Sequence, residues 1–309
     1  MSDLARIAVL YGGPSGEREV SLDSGRAVLQ ALQGLGMDAV GVDIQPAIVQ
    51  QQMAESGAQI AFNVCHGAVG EDGLLQACLE TLDMPYTGSG VLASALAMDK
   101  WRCKQLWRAA GLPVTEGILL RRGGHTPDLG SRFGWPLYIK PNHGGSSLGV
   151  SKVGGPAELD AALQCAFAIE DEVLCEGAVI GHEATVGILD GQALPPIVIE
   201  TPRPFYDYTA KYLADDTRYL LPSGLGAPLD QQLQALALSA FAELGCRDWG
   251  RVDFMISGGD GRPHLLEVNS VPGMTSHSLI PLAAKATGMD FPELCATILR
   301  TAQRRVKHG

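Results

Sequence analysis

Apolar positions along this chain follow two rhythms, and the switches between them mark the elements. Arg6-Ile-Ala-Val-Leu-Tyr11 reads as a buried strand, closed by Gly12-Gly13. Ser21 to Leu35 then sets Leu22, Val28, Leu29 and Leu32 at helical spacing, ended by Gly34 and Gly36. Ala39 to Val42 and Ile60 to Cys65 predict two further strands, and Gly73 to Leu82 a helix that stops before Pro85. Strands separated by helices predict a parallel sheet with helices on both faces. Ligands of such sheets lie beyond the carboxyl ends of the strands, where Gly12-Gly13 and His66-Gly67 fall.

From Met98 the texture changes. Asp99 to Ala109 predicts a helix, and Leu137 to Lys140 and Gly149 to Val153 predict two strands around a Gly/Ser loop. Glu158 to Ala168 is helical in pattern, and Val173 to Glu176 is strand-like. A Pro-rich stretch at Pro195, Pro196, Pro202 and Pro204 leads into Phe205-Tyr-Asp-Tyr208 and Lys211-Tyr212. Gln231 to Leu244 predicts a helix stopped by Gly245, and strands follow at Gly250 to Ile256 and His264 to Asn269. A last helix, about Phe291 to Val306, ends in a basic cluster suited to its C-terminus. No internal repeat interrupts this order.

Charge and composition narrow the class. Lys and Arg number 23 against 34 Asp and Glu, a formal charge of −11, which repels phosphate backbones and anionic lipid; neither a nucleic-acid nor a membrane partner is expected. Hydrophobic residues at 46% exclude a disordered chain. The 38 glycines point to tight turns and close backbone approaches. No eighteen-residue apolar run and no signal-peptide core is found, and the seven cysteines are scattered without C-x-x-C spacing. A reduced, cytoplasmic setting is expected.

The chemistry concentrates in Trp249-Gly-Arg251-Val-Asp253 and Leu265-Leu-Glu267-Val-Asn269, joined by the turn-rich Ser257-Gly-Gly-Asp260-Gly-Arg262. A hairpin symmetric about Asp260 puts Asp253 opposite Glu267 and Arg251 opposite Asn269, with all four side chains on one face. Two facing carboxylates repel, and a hard divalent cation reverses that sign. The alternative is a solvated hairpin whose acids pair with Arg251. Lys140-Pro-Asn-His-Gly144-Gly-Ser146-Ser147-Leu-Gly149 can turn backbone N–H groups onto an anion, as a flap over phosphates, or be a plain mobile hairpin. Thr87-Gly-Ser-Gly90-Val-Leu-Ala93 fits a dinucleotide fingerprint but lacks its acidic partner, and reads as a turn and helix start. His66, Glu17, Lys100, Lys211 and Tyr212 are individually weak candidates, since each also fits a core, helix-surface or packing role.

Taken in order, these segments resemble the ATP-grasp enzymes and, among them, the D-alanine–D-alanine ligases. The resemblance runs nearly the whole chain. It is carried by Gly12-Gly13 to Ser21, His66-Gly67 with Gly70-Glu-Asp-Gly73, Tyr86 to Gly90, Met98-Asp-Lys100, Lys140-Pro141 to Gly149, Phe205 to Tyr212, Gly250 to Asp253, Glu267-Val-Asn269 and Pro272 to Ser278. It implies an α/β (α+β) ATP-grasp fold: an N-terminal parallel-sheet domain over 1–99 and two ATP-grasp subdomains, 100–182 and 183–309, enclosing the nucleotide. It also implies a homodimer.

The implied reaction joins two D-alanines for peptidoglycan synthesis through an acyl phosphate made from ATP. By the same resemblance, Lys100, Lys140, Ser147 and Lys211 hold ATP, Glu176, Val179 and Glu183 its nucleoside. Asp253, Glu267 and Asn269 hold magnesium, two ions for which manganese can substitute. Arg251 and the Gly273 N–H stabilise the acyl phosphate and the oxyanion. Glu17, with His66 nearby, takes the first D-alanine's ammonium, and Ser146 and Tyr212 close the lid with it. Ser278 and Leu279 meet the second D-alanine. Tyr212 implies a dipeptide product, because similar ligases that make D-alanyl-D-lactate replace that tyrosine. Gly177-Ala178 stand where the family often carries Lys and an aromatic, and Asn269-Ser270-Val271 replaces a more usual Asn-Thr-x. Two competitors stay open: an ATP-grasp ligase for another carboxylate and amine, and a non-catalytic dinucleotide-binding module built on Gly88 and Gly90.

Overall fold

A computed structural model describes residues 5–203, 206, 216–275 and 277–306. The chain begins with β1 (Ile7–Tyr11), α1 (Arg18–Gly34), β2 (Ala39–Asp43), α2 (Val49–Ser56), β3 (Ile60–Asn63), α3 (Leu74–Thr81) and α4 (Val91–Met98). It continues with α5 (Lys100–Ala109), β4 (Gly117–Arg121), α6 (Leu129–Phe133), β5 (Leu137–Pro141), β6 (Ser151–Val153), α7 (Pro156–Ile169) and β7 (Glu172–Gly177). Then come β8 (Gly181–Leu189), β9 (Gln192–Ala193), β10 (Ile197–Glu200), β11 (Arg218–Leu220), α8 (Ala227–Glu243), β12 (Trp249–Ser257), β13 (Pro263–Asn269), α9 (Leu279–Ala286) and α10 (Phe291–Val306).

The first sheet is parallel, in the order β2-β1-β3. Both of its faces are covered, which is why β1 is apolar without alternation. Ile7 and Val9 pack with Val28 and Leu32 of α1 and with Ile298 and Leu299 of α10. Ala8 and Leu10 point the other way, to Met53 of α2 and Leu75 and Leu79 of α3. The last helices therefore return to complete the first sheet's core. Gly25 admits the Tyr11 ring against α1, where an added Cβ would stand 2.3 Å from it.

The second sheet, β4-β7-β5-β6, is antiparallel. Leu137, Ile139, Val173 and Cys175 form its core under α6 and α7. Period-two alternation then sends Tyr138, Lys140 and Glu176 to the opposite face. The third sheet runs β11-β10-β8-β12-β13, with β9 on β8. Val252, Phe254, Ile256, Leu265 and Val268 pack beneath α8 and beside Trp107 of α5.

The expected symmetric hairpin needs one correction. Arg251 pairs with Asn269 and Asp253 with Glu267, but a bulge follows, and Phe254 faces Leu265. The extra residue lets consecutive Leu266 and Glu267 both line one cleft, which strict alternation forbids. Central strand β8 escaped the pattern, because Gly181, His182, Glu183 and Gly187 dilute its apolar run.

Candidate active site

The second and third sheets face each other across a cleft. Lys100, Lys140, Ser147, Glu176, Val179 and Glu183 line it together with Glu267. Lys100 opens α5, whose cap Asp99 accepts the Arg102 N–H at 2.8 Å. Lys104 lies one turn on, and i, i+4 spacing puts both ammoniums on the same side. Lys104 is 1% exposed; it donates to Thr115 Oγ1 at 2.7 Å and the Leu265 carbonyl at 3.2 Å and lies 2.9 Å from Glu176 Oε2. Glu176 also pairs with Lys140 and accepts from Thr115 at 2.7 Å.

The result is a buried Lys–Glu–Lys triad with net positive charge. Burial pushes the Glu176 carboxyl up, and the two ammoniums outweigh it, holding the acid well below its ordinary range. Burial lowers Lys100 and Lys104, partly offset by Glu267 and Glu176 respectively. Lys104 and Thr115 were missed from the sequence, although the four-residue spacing from Lys100 was a usable signal.

At the far wall Asp253 is 5% exposed. Arg251 grips it in two places, Nε to Oδ1 and Nη2 to Oδ2, each at 2.8 Å. Thr185 donates to Oδ1 at 2.6 Å, and the Asn269 amide reaches Oδ2 at 3.5 Å. Glu267 stands opposite, 3.9 Å from the Lys100 ammonium. Arg251 pairing, the alternative weighed above, is thus present inside a buried site. Two protein cations already flank the facing acids, so their repulsion does not by itself demand a metal.

Among the described residues no three His, Cys, Asp or Glu side chains gather as a metal cluster. Two carboxylates and an amide oxygen on one face nonetheless form a hard-oxygen set that fits a cation shared with phosphate oxygens.

The Gly-rich loop after β5 closes the cleft's edge. Ser146 and Ser147 are left-handed, with φ of 50° and 57°. Ser146 donates to Glu17, and Ser147 to the Tyr206 carbonyl at 3.1 Å. A Cβ on Gly145 would meet Glu17 Oε2 at 2.7 Å, so the bare glycine lets the loop lie on that carboxylate.

His66 is 4% exposed, with Nδ1 2.8 Å from the Val271 carbonyl and Nε2 3.0 Å from Ser24 Oγ. Both nitrogens are thus engaged within the protein, and the ring is a tie between α1 and the 271–278 loop. Ser24 Oγ accepts the Met274 N–H at 3.0 Å and completes that tie. In the same loop Ser278 Oγ accepts the Thr275 N–H at 3.0 Å, and a Cβ on Gly273 would lie 3.0 Å from it. The Leu279 side chain is buried in the core at the start of α9. Lys211 and Tyr212 lie outside the described residues.

The apparent dinucleotide turn is otherwise occupied. Gly90 caps α4, and the Gly88 N–H donates to Asp248 Oδ2 at 3.0 Å, so a carboxylate sits where a phosphate would. No helix among the described residues is long and apolar enough to cross a membrane.

The chain matches the D-ala D-ala ligase C-terminus family over residues 106–300 and the D-ala D-ala ligase N-terminus family over 45–89. It is 52% identical over 301 residues to the D-alanine–D-alanine ligase of Aromatoleum aromaticum, covering 96% of each chain. It is 52% identical over 303 residues to that of Alkalilimnicola ehrlichii, covering 98% of this chain and 96% of the relative. A crystal structure of the Bacillus anthracis D-alanine–D-alanine ligase complexed with ATP superposes with a TM-score of 0.87 at 32% identity, over 99% of this chain and 100% of that one.

Proposed function

This chain belongs to the D-alanine–D-alanine ligase family, and from that premise we propose how its residues divide the work. It is an ATP-dependent ligase that joins two D-alanines to D-alanyl-D-alanine in peptidoglycan precursor synthesis. A carboxylate oxygen of the first D-alanine attacks the γ-phosphorus of ATP, giving the acyl phosphate and ADP. The amine of the second attacks the acyl carbon, and phosphate leaves as the peptide bond forms. Neither step needs a protein nucleophile; both need positioning and charge neutralisation.

Lys100, Lys140, Ser147 and the N–H groups of the Gly-rich loop hold the phosphates, with Lys211 joining them. In the Lys–Glu–Lys triad Glu176 fixes the Lys140 ammonium in place, and Lys104 takes up part of the Glu176 charge, leaving Lys140 able to meet phosphate. Glu176, Val179 and Glu183 hold the nucleoside. Asp253, Glu267 and Asn269 would hold magnesium, two ions for which manganese can stand in, and the metal would supply neutralisation of phosphate charge. Arg251, kept rigid on Asp253, meets the transferred phosphoryl group, and the Gly273 N–H meets the oxyanion. Glu17 takes the first D-alanine's ammonium, and Ser146 and Tyr212 close over it. His66 serves this site through the loop it ties down. Ser278 and the backbone at Leu279 bind the second D-alanine's carboxylate.

The residue blocks 1–99, 100–182 and 183–309 act as an N-terminal domain and two nucleotide-enclosing subdomains, in a cytoplasmic homodimer. The reading is carried by Asp253 facing Glu267 beside the cleft that gathers Lys100, Lys140 and Glu176 beneath the Gly-rich loop. Its test is phosphate release from ATP with a panel of D- and L-amino acids. Release that needs D-alanine supports it; release with D-lactate in its place rejects the dipeptide product, and no release with any amino acid rejects the ligase.

A further inference from the structure

The root of the Gly-rich loop is fastened by groups that the reaction does not use. Asn142, fully buried, accepts the Lys100 N–H on its carbonyl at 3.1 Å and the Trp101 N–H on its side chain at 2.8 Å. Its amide donates to Asp99 Oδ1 at 2.9 Å. Next to it, the His143 ring stands between two acids. Nε2 lies 3.1 Å from Asp99 Oδ2, and Nδ1 lies 3.5 Å from Glu170 Oε2. Asp99 caps α5, which carries Lys100; Glu170 caps the end of α7 and also accepts the His143 N–H at 3.0 Å. A neutral imidazole has one N–H and can serve one of these acids; the imidazolium serves both.

We propose that His143 is a positioning residue for ATP: as an imidazolium it bolts the root of the phosphate-holding loop to α5 and α7, so that the loop and Lys100 keep one spacing. The inference rests on the reading that this loop holds the phosphates. The charge around the ring agrees with it. Asp99 and Glu170 face it directly, Arg102 shares Asp99, Glu172 lies 4.0 Å from Arg102, and Lys100 sits one residue from Asp99. The hydrogen bonds to Asp99 and Glu170 outweigh desolvation and push the His143 pKa up to about 9. A raised pKa means that the bolt is complete below the ordinary histidine value and is lost as pH rises through about 9. The ring is 45% exposed, so replacing it leaves the core intact.

Two measurements on the full-length enzyme test this. The His143 imidazole, assigned in the proton NMR spectrum by its loss in His143→Gln, is expected to titrate near 9; a midpoint at or below its ordinary value of about 6.5 overturns the proposal. Separately, His143→Gln is expected to raise KM for MgATP about fivefold near pH 7.5, with KM for D-alanine changed less than about twofold. Wild-type KM for MgATP climbs toward the Gln value by about pH 10, whereas His143→Arg stays low throughout. An unchanged KM for MgATP in His143→Gln, or a parallel climb in both proteins, overturns the proposal. The titration needs neither ATP nor turnover, so loss of the ligase reading would leave that arm standing. A working ligase indifferent to His143 would sink the bolt alone.

Discussion

Asp253 and Glu267 stand directly opposite each other on β12 and β13, one residue before a bulge shifts the ladder. Their environments differ. Asp253 is buried in a bidentate grip with Arg251, whereas the Glu267 side chain is 31% exposed and has Lys100 at 3.9 Å. The two acids should therefore fail differently. Glu267→Gln is expected to lower kcat by at least about a hundredfold with little change in Tm, since it removes a charge from a partly wet position. Asp253→Ala should abolish turnover and also cost about 3–5 kcal/mol of stability, because it strands the buried Arg251. Initial rates and thermal unfolding decide this, and near-normal turnover in Glu267→Gln would remove that residue from the proposed metal site.

Lys104 touches neither cleft opening nor loop, yet it holds Glu176 from behind at 2.9 Å. Lys104→Met keeps length and loses the charge. We expect about 3 kcal/mol of destabilisation in urea, from breaking a buried ionic network. KM for MgATP should rise about tenfold as Glu176 draws Lys140 more tightly, while KM for D-alanine holds. Equal rises in both constants would mean general loosening and reject the specific role.

Gly145→Ala tests the meeting of loop and Glu17. The new methyl would press on the Glu17 carboxylate at 2.7 Å and push it from its place. KM for D-alanine should rise about tenfold, with Tm moved by no more than a few degrees. An unaltered KM would dissociate Glu17 from the substrate's ammonium.

The acid limb of stability should report Glu176. Its folded pKa is depressed, so its contribution is full above the ordinary carboxylate value and disappears as pH falls through the lowered one. Unfolding free energy measured in urea between about pH 5 and pH 3 should fall, and Glu176→Gln should flatten that slope. An identical slope in the variant would place the acid sensitivity elsewhere, with Asp99 next to examine.

Much of the site was legible because its residues sit in short, rigid pieces. Arg251, Asp253, Glu267 and Asn269 follow from alternation in two strands and one turn. The Gly/Ser loop between two strands is likewise a local pattern. Lys104 read as an ordinary helix residue, because only the approach of β7 and β13 gives its ammonium Glu176 and the Leu265 carbonyl. His66 invited a ligand role that its two internal partners, Val271 and Ser24, now take up. Those partners are 205 and 42 residues away, beyond any spacing rule.

By itself, then, the sequence determined the kinds of element, the parallel first sheet, the facing acids and the family resemblance, since each depends on local periodicity or on contiguous motif residues. Tertiary structure alone decided which charges neutralise which: Arg251 on Asp253, Lys104 and Lys140 on Glu176, His143 between Asp99 and Glu170. The physical reason is that a charge's partner is set by distance and burial in three dimensions. Both arise when three sheets pack together, and no one-dimensional spacing encodes them.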